Sequence, residues 1–158
     1  MIEIGPVDDG DRAWVSDLLA RWWGSAQVVS RGRLHDAAAL PGFIARCDGQ
    51  RAGLVTYRIE GGQCELVSLN STREGRGIGS VLVQAVIAAA REARCTRLWL
   101  ITTNDNLAAL RFYQKRGFHL VAVHRDALEE SRRLKPQIPL TGMEGIPLRD
   151  EIELEMRL

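Results

Sequence analysis

The sequence has little that would mark a metalloprotein, a disulfide-stapled secreted domain or a membrane protein. Its three cysteines and three histidines stand at no spacing typical of a metal site or a redox motif. No apolar run is long enough to cross a bilayer, and the start of the chain lacks a basic region followed by an apolar core. A formal net charge of +1 argues against a broad nucleic-acid-binding face. We therefore expect a cytoplasmic protein with reduced, buried cysteines, and no metal, membrane or nucleic acid as its partner.

What is present is the composition of an ordinary globular domain. The 158 residues are 46% hydrophobic and 26% charged, which suits one sizeable hydrophobic core. No internal repeat, low-complexity tract or linker interrupts the chain. We expect a single domain over residues 1–158.

Hydrophobic periodicity predicts a mixed α/β chain. A strand at Ile2 and a helix through Trp14 come first, then a loop with a short helix near 36–40. An antiparallel meander follows, because Asp48-Gly49 and Gly61-Gly62 are typical of tight hairpin turns. The rest reads β-α-β-α-β, then a long loop at 135–149 and a final alternating strand. From the meander onward the predicted elements are strands at 43–47, 54–59 and 64–69, a helix at 78–94, a strand at 97–102, a helix at 107–115, and strands at 118–123 and 152–158.

The most informative feature is a glycine-rich turn between a strand and a helix. The apolar run that contains Val67 and Leu69 leads through Arg73 into Glu74-Gly75-Arg76-Gly77-Ile78-Gly79-Ser80, and a long amphipathic segment follows. Glycines let the backbone approach a ligand closely, and the start of a helix supplies N–H groups with partial positive charge. The turn therefore predicts a site for an anionic phosphate group.

A second cluster lies around the next predicted helix. Asn104-Asp105-Asn106 ends a strand, and the helix with its C-terminal turn carries Ala109, Phe112-Tyr113 and Gly117-Phe118. Asparagine is well suited to cap a helix, so Asn106 is expected to cap the one that starts at Leu107.

Together, the two motifs resemble those of the GNAT superfamily, the acetyl-CoA-dependent N-acetyltransferases. Members carry Gln/Arg-x-x-Gly-x-Gly/Ala in this turn, and its backbone amides hold the pyrophosphate of coenzyme A. Gly77 and Gly79 match the two small positions, whereas Glu74 departs from the usual Gln or Arg. The resemblance therefore leaves Arg73 or Arg76 to supply the positive charge. It implies a GNAT-like α/β (α+β) fold, with a mixed, mostly antiparallel sheet of about seven strands flanked by helices.

The resemblance also implies acetyl-CoA as the acetyl donor, with no metal, and it allows a homodimer, since family members often dimerise. Asn106 is placed at the pantetheine arm while it caps the helix, and Tyr113 is placed near the thioester sulfur. The residues assigned to donor binding are Val67, Leu69, Arg73, Gly75, Arg76, Gly77, Ile78, Gly79, Ser80, Asn106, Ala109 and Tyr113.

The chemistry of amine acetylation needs few groups. A protonated amine with a pKa near ~10 must lose a proton before it attacks the thioester, and a carboxylate can accept that proton directly or through water. Glu65 occupies the strand position where family members often place this base, and a solvent-facing strand residue is an equal alternative. A backbone N–H near Leu69 is suited to stabilise the oxyanion. Tyr113 is assigned as the acid that protonates the leaving thiolate, with an ordinary core tyrosine as its alternative.

Other side chains have weaker claims to the site. Glu151 and Glu153 are alternative bases or acceptor contacts, although the alternation of their strand favours a solvated polar face. Of Trp22 and Trp23, one is expected in the core and the other on the acceptor side or at a dimer contact. The basic run at 132–135 is expected to be a solvated surface cluster.

Two other functions stay open beside acetyl transfer to a primary amine. Gly75-x-Gly77 with Ser80 partly matches the dinucleotide-binding fingerprint of an oxidoreductase, but Ser80 replaces the third glycine and the motif follows an antiparallel meander. A non-catalytic sensor that binds acetyl-CoA is the other. We favour a small-molecule acceptor over a protein N-terminus, because nothing in the sequence indicates an extended peptide groove.

Overall fold

A computed structural model describes all 158 residues and confirms the predicted fold class. The elements are β1 (Ile2–Pro6), α1 (Arg12–Trp23), β2 (Gln27–Ser30), β3 (Arg33–Asp36), β4 (Gly42–Cys47), β5 (Gln50–Glu60), β6 (Gln63–Ser71), α2 (Ile78–Glu92), β7 (Arg97–Thr103), α3 (Leu107–Lys115), β8 (His119–His124), α4 (Ala127–Leu134) and β9 (Glu151–Arg157). Seven strands form one mostly antiparallel sheet in the order β1-β4-β5-β6-β7-β9-β8, and β2 pairs with β3 separately. None of the helices combines the length and the apolar character that a membrane crossing needs.

The chain folds as two compact units. The first comprises Met1–Val28, Asp36–Leu98 and Leu158, and the second comprises Val29–His35 and Trp99–Arg157. The prediction of a single domain stays a prediction.

In the first unit, β4, β5 and β6 pair antiparallel in succession, as the predicted meander requires, and β1 pairs antiparallel with β4. Asp48, Gly49, Gly61 and Gly62 have φ angles of 52°, 80°, 58° and 74°. Both central residues of each hairpin are thus left-handed, the conformation that matches the twist of the flanking strands.

The two helices of the first unit bury their apolar faces. In α1, Val15, Leu18 and Leu19 are fully buried in a cluster that includes Ile44 and Leu54. A capping box between Asp8 and Asp11 holds the short 3-10 turn Asp9–Asp11 that leads into α1, and α1 ends at the left-handed Gly24. The second helix, α2, buries six apolar side chains: Ile78, Leu82, Val83, Val86, Ile87 and Ala90.

Gly53 on β5 sets how closely α2 approaches the sheet. A Cβ atom at this position would lie 2.5 Å from Cγ2 of Ile78 and 3.1 Å from Cδ1 of Leu82. The first distance is shorter than side-chain packing tolerates and the second is tight, so a larger residue would force Ile78, at the start of α2, to shift. The first turn of α2 therefore owes its position to the absence of a side chain here.

The second unit contains α3, α4 and the antiparallel pair β8–β9. Leu154 of β9 is fully buried, and Leu128 of α4 and Phe118 after α3 are nearly so. Helix α3 runs over Leu107–Lys115, the range predicted for it, and Gly117 after it has a φ of 95°.

Two local predictions differ from the structure. The short helix expected near 36–40 is a turn, and a β-hairpin of β2 and β3 precedes it, with Arg31 (φ 49°) and Gly32 (φ 71°) at its tip. The β-branched pair Val28-Val29 before Arg31-Gly32 favoured this hairpin and was missed. Helix α4 was also missed, because its polar sequence buries only Leu128 and Ser131.

Candidate active site

The glycine turn opens α2 without a side-chain cap. Gly75 and Gly77 have φ angles of 73° and 75°, and Gly77 is the N-cap residue of the helix. Neither glycine would bring a Cβ within 4 Å of another atom, so the space above the turn is open. No side chain accepts a hydrogen bond at this cap. The first N–H groups of a helix have no partner inside it and carry partial positive charge, so the turn offers donors to an anion.

The first turn of α2 is anchored from below. Ile78 is buried, while Gly79 and Ser80 are half-buried. The N–H of Val81 donates to the carbonyl of Gly77 at 3.2 Å, which closes the first helical turn. These contacts restrain the start of α2, and a restrained backbone lowers the entropic cost of ligand binding.

Of the two arginines beside the turn, only Arg76 has a guanidinium without a partner. Arg73 donates from its guanidinium to Gln50 Oε1 at 2.8 Å, and its backbone is bonded to the Ser71 hydroxyl. Arg76 is exposed and makes no hydrogen bond or ion pair. Glu74 is exposed too, so its carboxylate stays in water. Arg76 is therefore the better source of positive charge for a phosphate group.

Strand β6 carries Glu65, Val67 and Leu69 in the same unit as the turn. Leu69 is half-buried opposite Val55. A register shift in the pairing with β5 leaves Val67 without an opposite residue, which is the pattern of a β-bulge. Bulges re-aim backbone and side chains, so the regular ladder is interrupted at one of the residues assigned to donor binding.

Glu65 is 4% exposed, so the alternative of a solvent-facing strand residue is wrong. Its Cα pairs in register with that of Arg58 on β5. A carboxylate this buried is rarely without a partner, and Glu65 does interact with other groups of the protein.

The expectation that one tryptophan lies in the core is also wrong. Trp22 is 55% and Trp23 is 40% exposed at the end of α1. Trp23 donates from Nε1 to Oδ1 of the buried Asn70 on β6, at 3.3 Å. The pair therefore forms an exposed aromatic surface, and one of its indoles is held by a hydrogen bond.

In the second unit, Asn106 caps α3 as predicted. Its Oδ1 accepts a hydrogen bond from the N–H of Ala109 at 3.0 Å. This bond occupies the Ala109 N–H, which is therefore not available to a ligand. The side-chain NH₂ of Asn106 makes no bond and remains a donor for a ligand carbonyl.

Tyr113 is the only buried residue of α3. Its ring makes edge-to-face contacts with Phe112 and Phe118, at centroid separations of 5.1 and 5.4 Å. Burial raises the pKa of the Tyr113 phenol above its ordinary value, and the positive charge of Arg116 only partly opposes this. The hydroxyl makes no hydrogen bond. A hydroxyl that keeps its proton and lacks a partner can donate to a developing anion.

The carboxylates of β9 do not form the solvated face that was expected. Glu151 is 2% exposed, and its carboxylate accepts from the backbone N–H and the guanidinium of Arg31, both at 3.3 Å. Glu153 is half-buried and lies 2.9 Å from Nε2 of His124. Both acids are therefore structurally engaged, which weakens their claim as bases.

The basic run at 132–135 is likewise not a simple surface cluster. Arg132 donates to the carbonyls of Ile138, Pro139 and Leu148, at 3.3, 2.8 and 2.6 Å. Lys135 is 5% exposed, and burial lowers its pKa. These contacts help to hold the segment after α4 in place. Asn104 and Asp105 also hold this segment, a role that the sequence analysis did not predict.

Comparison with known proteins identifies the family. Residues 9–118 match the family described as Acetyltransferase (GNAT) family. The uncharacterised Bacillus subtilis (strain 168) protein YdhI is 42% identical over 153 residues, which covers 96% of each chain. The mycothiol acetyltransferase of Clavibacter michiganensis subsp. michiganensis is 34% identical over 129 residues, 74% of this chain and 42% of that protein.

The fold agrees with a solved structure as well. A GNAT family acetyltransferase from Elizabethkingia anophelis, crystallised with acetyl-CoA bound, has a TM-score of 0.71 at 20% identity, with 99% of this chain and 98% of that chain covered. At this identity the likeness concerns the fold.

Proposed function

The chain belongs to the GNAT acetyltransferase family, and from that premise we propose that it transfers an acetyl group from acetyl-CoA to a primary amine on a small molecule. The observation that carries the proposal is the uncapped start of α2 behind the left-handed Gly75 and Gly77. Open space above these glycines suits a pyrophosphate, and Arg76 supplies a free positive charge. The residues present thus fit the donor.

Asn106 and Tyr113 are assigned to the acetyl-bearing end of the donor. The free NH₂ of Asn106 is suited to a carbonyl of the pantetheine arm. Tyr113 is protonated at neutral pH, as a phenol with the ordinary pKa of about 10 already is, and burial raises its pKa further. The hydroxyl is thus present as the hydrogen-bond donor that gives its proton to the sulfur as the thioester bond breaks.

The reaction balances with the groups at hand. The amine nitrogen forms a bond to the acetyl carbon and the carbon–sulfur bond breaks, so the proton lost by the amine must reach a base. Glu65 accepts it, directly or through water, and Tyr113 supplies one to the thiolate. The proton held by Glu65 then returns through solvent to the Tyr113 phenolate, so both groups are restored for the next turnover. A backbone N–H of β6 near Leu69 stabilises the oxyanion during attack.

The acceptor contacts are assigned to the exposed aromatic surface of Trp22 and Trp23. An indole face attracts a cation, so a protonated amine would be drawn to these tryptophans before it loses its proton. That the acceptor is a small molecule is supported by the mycothiol acetyltransferase relative, whose name indicates such a substrate.

The dinucleotide-binding alternative is less well supported by the fold. A dinucleotide-binding domain is a doubly wound, mostly parallel sheet, whereas β1, β4, β5 and β6 pair antiparallel. The sensor alternative differs from the proposal only in turnover, so activity decides between them.

Calorimetric titration with acetyl-CoA, free CoA, NADH and ATP tests the proposal first. We expect selective binding of acetyl-CoA and CoA, followed by release of free thiol when amines are screened. Binding of NADH alone would contradict the donor assignment. Binding of acetyl-CoA without turnover on any amine would favour the sensor.

We also propose that the protein works in the cytoplasm. All three cysteines are buried free thiols, a state that suits a reducing compartment.

We further propose a homodimer formed through β8, the last strand of the sheet. Leu120, Val121 and Val123 of this strand are 57%, 46% and 61% exposed, beside an apolar groove of about 330 Å³. The strand has a histidine at each end, His119 and His124, and four apolar residues between them. In an antiparallel pair with a second copy, the apolar residues of one strand would therefore lie opposite the apolar residues of the other. An exposed apolar edge of this kind favours pairing with another strand.

A further inference from the structure

The segment between α4 and β9 contains an ordered hairpin. Gly142 donates to the carbonyl of Ile146 at 2.8 Å, and Leu148 donates to that of Leu140 at 3.0 Å. Glu144 and Gly145 at its tip have left-handed φ angles of 56° and 75°. These residues are called the 140–148 hairpin below. It has few internal hydrogen bonds for its length, so its position depends on what holds it from outside.

Asn104, which follows β7, holds the base of the hairpin. Its side-chain NH₂ donates to the carbonyl of Pro147 at 2.8 Å. Its side-chain oxygen accepts from the backbone N–H groups of Arg149 and Asp150, at 3.0 and 2.9 Å. One carboxamide thus satisfies three backbone groups on the far side of the segment, which is near the limit of what asparagine can do.

Asp105 holds the tip of the hairpin. Its carboxylate is 5% exposed, accepts from the N–H of Met143 at 2.9 Å, and accepts from the Thr103 hydroxyl at 2.5 Å. A Cβ on Gly142 would lie 2.1 Å from Oδ2 of Asp105. The hairpin backbone therefore lies directly on this carboxylate, at a distance that only glycine permits.

The next residue, Asn106, belongs to the donor side. It caps α3, the helix that carries Tyr113, and its free NH₂ is assigned to acetyl-CoA. Three consecutive residues thus connect the 140–148 hairpin with the start of α3. The hairpin itself exposes two large apolar side chains, Leu140 at 75% and Met143 at 55%. Such side chains on a fixed hairpin can contact the apolar part of an acceptor.

We propose that Asn104 and Asp105 are positioning residues that hold the 140–148 hairpin in place to bind the acceptor. The next residue in the chain, Asn106, is the one assigned to the donor. This inference rests on the proposed acetyl transfer for its kinetic consequence. The restraint of the hairpin by Asn104 and Asp105 can be tested without any enzymatic reaction.

The kinetic test compares Asn104→Ala with a matched control, Gln137→Ala. Gln137 is an exposed amide of the same segment that makes no hydrogen bond. Loss of three hydrogen bonds should raise the acceptor KM about tenfold or more, with the acetyl-CoA KM and kcat little changed. Asn104→Asp keeps the two accepted bonds and loses the donated one, so it should fall between wild type and Asn104→Ala. Gln137→Ala should match wild type.

Amide hydrogen exchange supplies the second readout. In Asn104→Ala the amides of Met143, Arg149 and Asp150 should exchange about tenfold faster or more, while those of α2 stay unchanged. Should Asn104→Ala fail to fold, Gly142→Ala tests the same restraint at the other contact, because its Cβ displaces the hairpin from Asp105. Unchanged exchange in both variants, or an acceptor KM and an acetyl-CoA KM that rise together, would overturn the proposal. If wild type acetylates no amine, the proposed function fails and exchange alone decides whether Asn104 and Asp105 restrain the hairpin.

Discussion

At the scale of single residues, Tyr113 carries the most specific chemical prediction. Tyr113→Phe removes the hydroxyl and keeps the ring between Phe112 and Phe118. We expect kcat to fall by about 10²-fold or more, while calorimetric affinity for acetyl-CoA stays close to that of wild type. The hydroxyl acts only as the thioester breaks, so ground-state binding should not depend on it.

The pH profile tests the same assignment in wild type. Because burial raises the pKa of Tyr113, its phenol stays protonated up to and beyond the ordinary tyrosine pKa of about 10. Loss of this acid should therefore cause no fall in kcat below about pH 10. The matched control is Tyr57→Phe, the only other tyrosine, on β5 and stacked with Phe43. Equal turnover of both variants across the pH range would remove Tyr113 from the chemistry.

Glu65 is predicted to act as the base. Glu65→Gln keeps the size of this buried side chain and removes its ability to take a proton. We expect kcat/KM for the amine to fall by about 10²-fold near neutral pH. The deficit should shrink as pH approaches the amine pKa near ~10, where the free amine no longer needs a base. Glu129→Gln, an exposed site on α4, serves as the control. A deficit that is constant with pH would point to a structural role.

At the scale of elements, the glycine turn and the start of α2 together form the proposed phosphate-binding site. The helix start is positioned by Gly53 beneath it and left open by Gly77 above it. The turn contributes its backbone and no side-chain cap, so a substitution there can alter ligand binding without removing a contact in the protein itself.

Gly77→Glu should abolish measurable donor binding, because its side chain fills the open space and its charge repels a pyrophosphate. It also forces a left-handed conformation on a non-glycine residue, which costs about 1–2 kcal/mol of stability. Gly49→Glu is a matched control, since Gly49 has a φ of 80° and equally open space in the hairpin between β4 and β5. Both variants should show a similar loss in melting temperature, and only Gly77→Glu should lose calorimetric binding of CoA. Normal binding by Gly77→Glu would separate the turn from the donor site.

At the scale of the whole molecule, the order of elements was predictable because most signals are local. The hairpin dipeptides, the apolar spacing of α2 and the start and end residues of α3 each lie within a few positions of the structure they specify. Apolar spacing does not by itself give the buried face of α2, since Val81 is exposed whereas Val83 and Ile87 are buried. An error of one position rotates a helix by about 100°.

The features that were missed depend on contacts between distant parts of the chain. Glu151 is buried because Arg31, on the hairpin of β2 and β3, donates to it twice. Asn104 resembles any polar residue after a strand until Pro147 and Arg149 are placed beside it. Arg132 likewise has partners that no local pattern reveals. Local periodicity therefore predicts elements and motif positions, while burial of polar side chains requires the tertiary structure.

The exposed edge of β8 gives the prediction that concerns assembly. Val123→Glu places a charge where the proposed homodimer would bury apolar surface, at a cost on the order of 3 kcal/mol, about a hundredfold in dimer Kd. Sedimentation velocity over a concentration series should show a dimer for wild type and a monomer for Val123→Glu. Ile59→Glu, at a 41% exposed apolar position on β5, should stay dimeric. A wild type that is monomeric throughout, or a Val123→Glu variant that dimerises like Ile59→Glu, would show that β8 does not pair with a second copy.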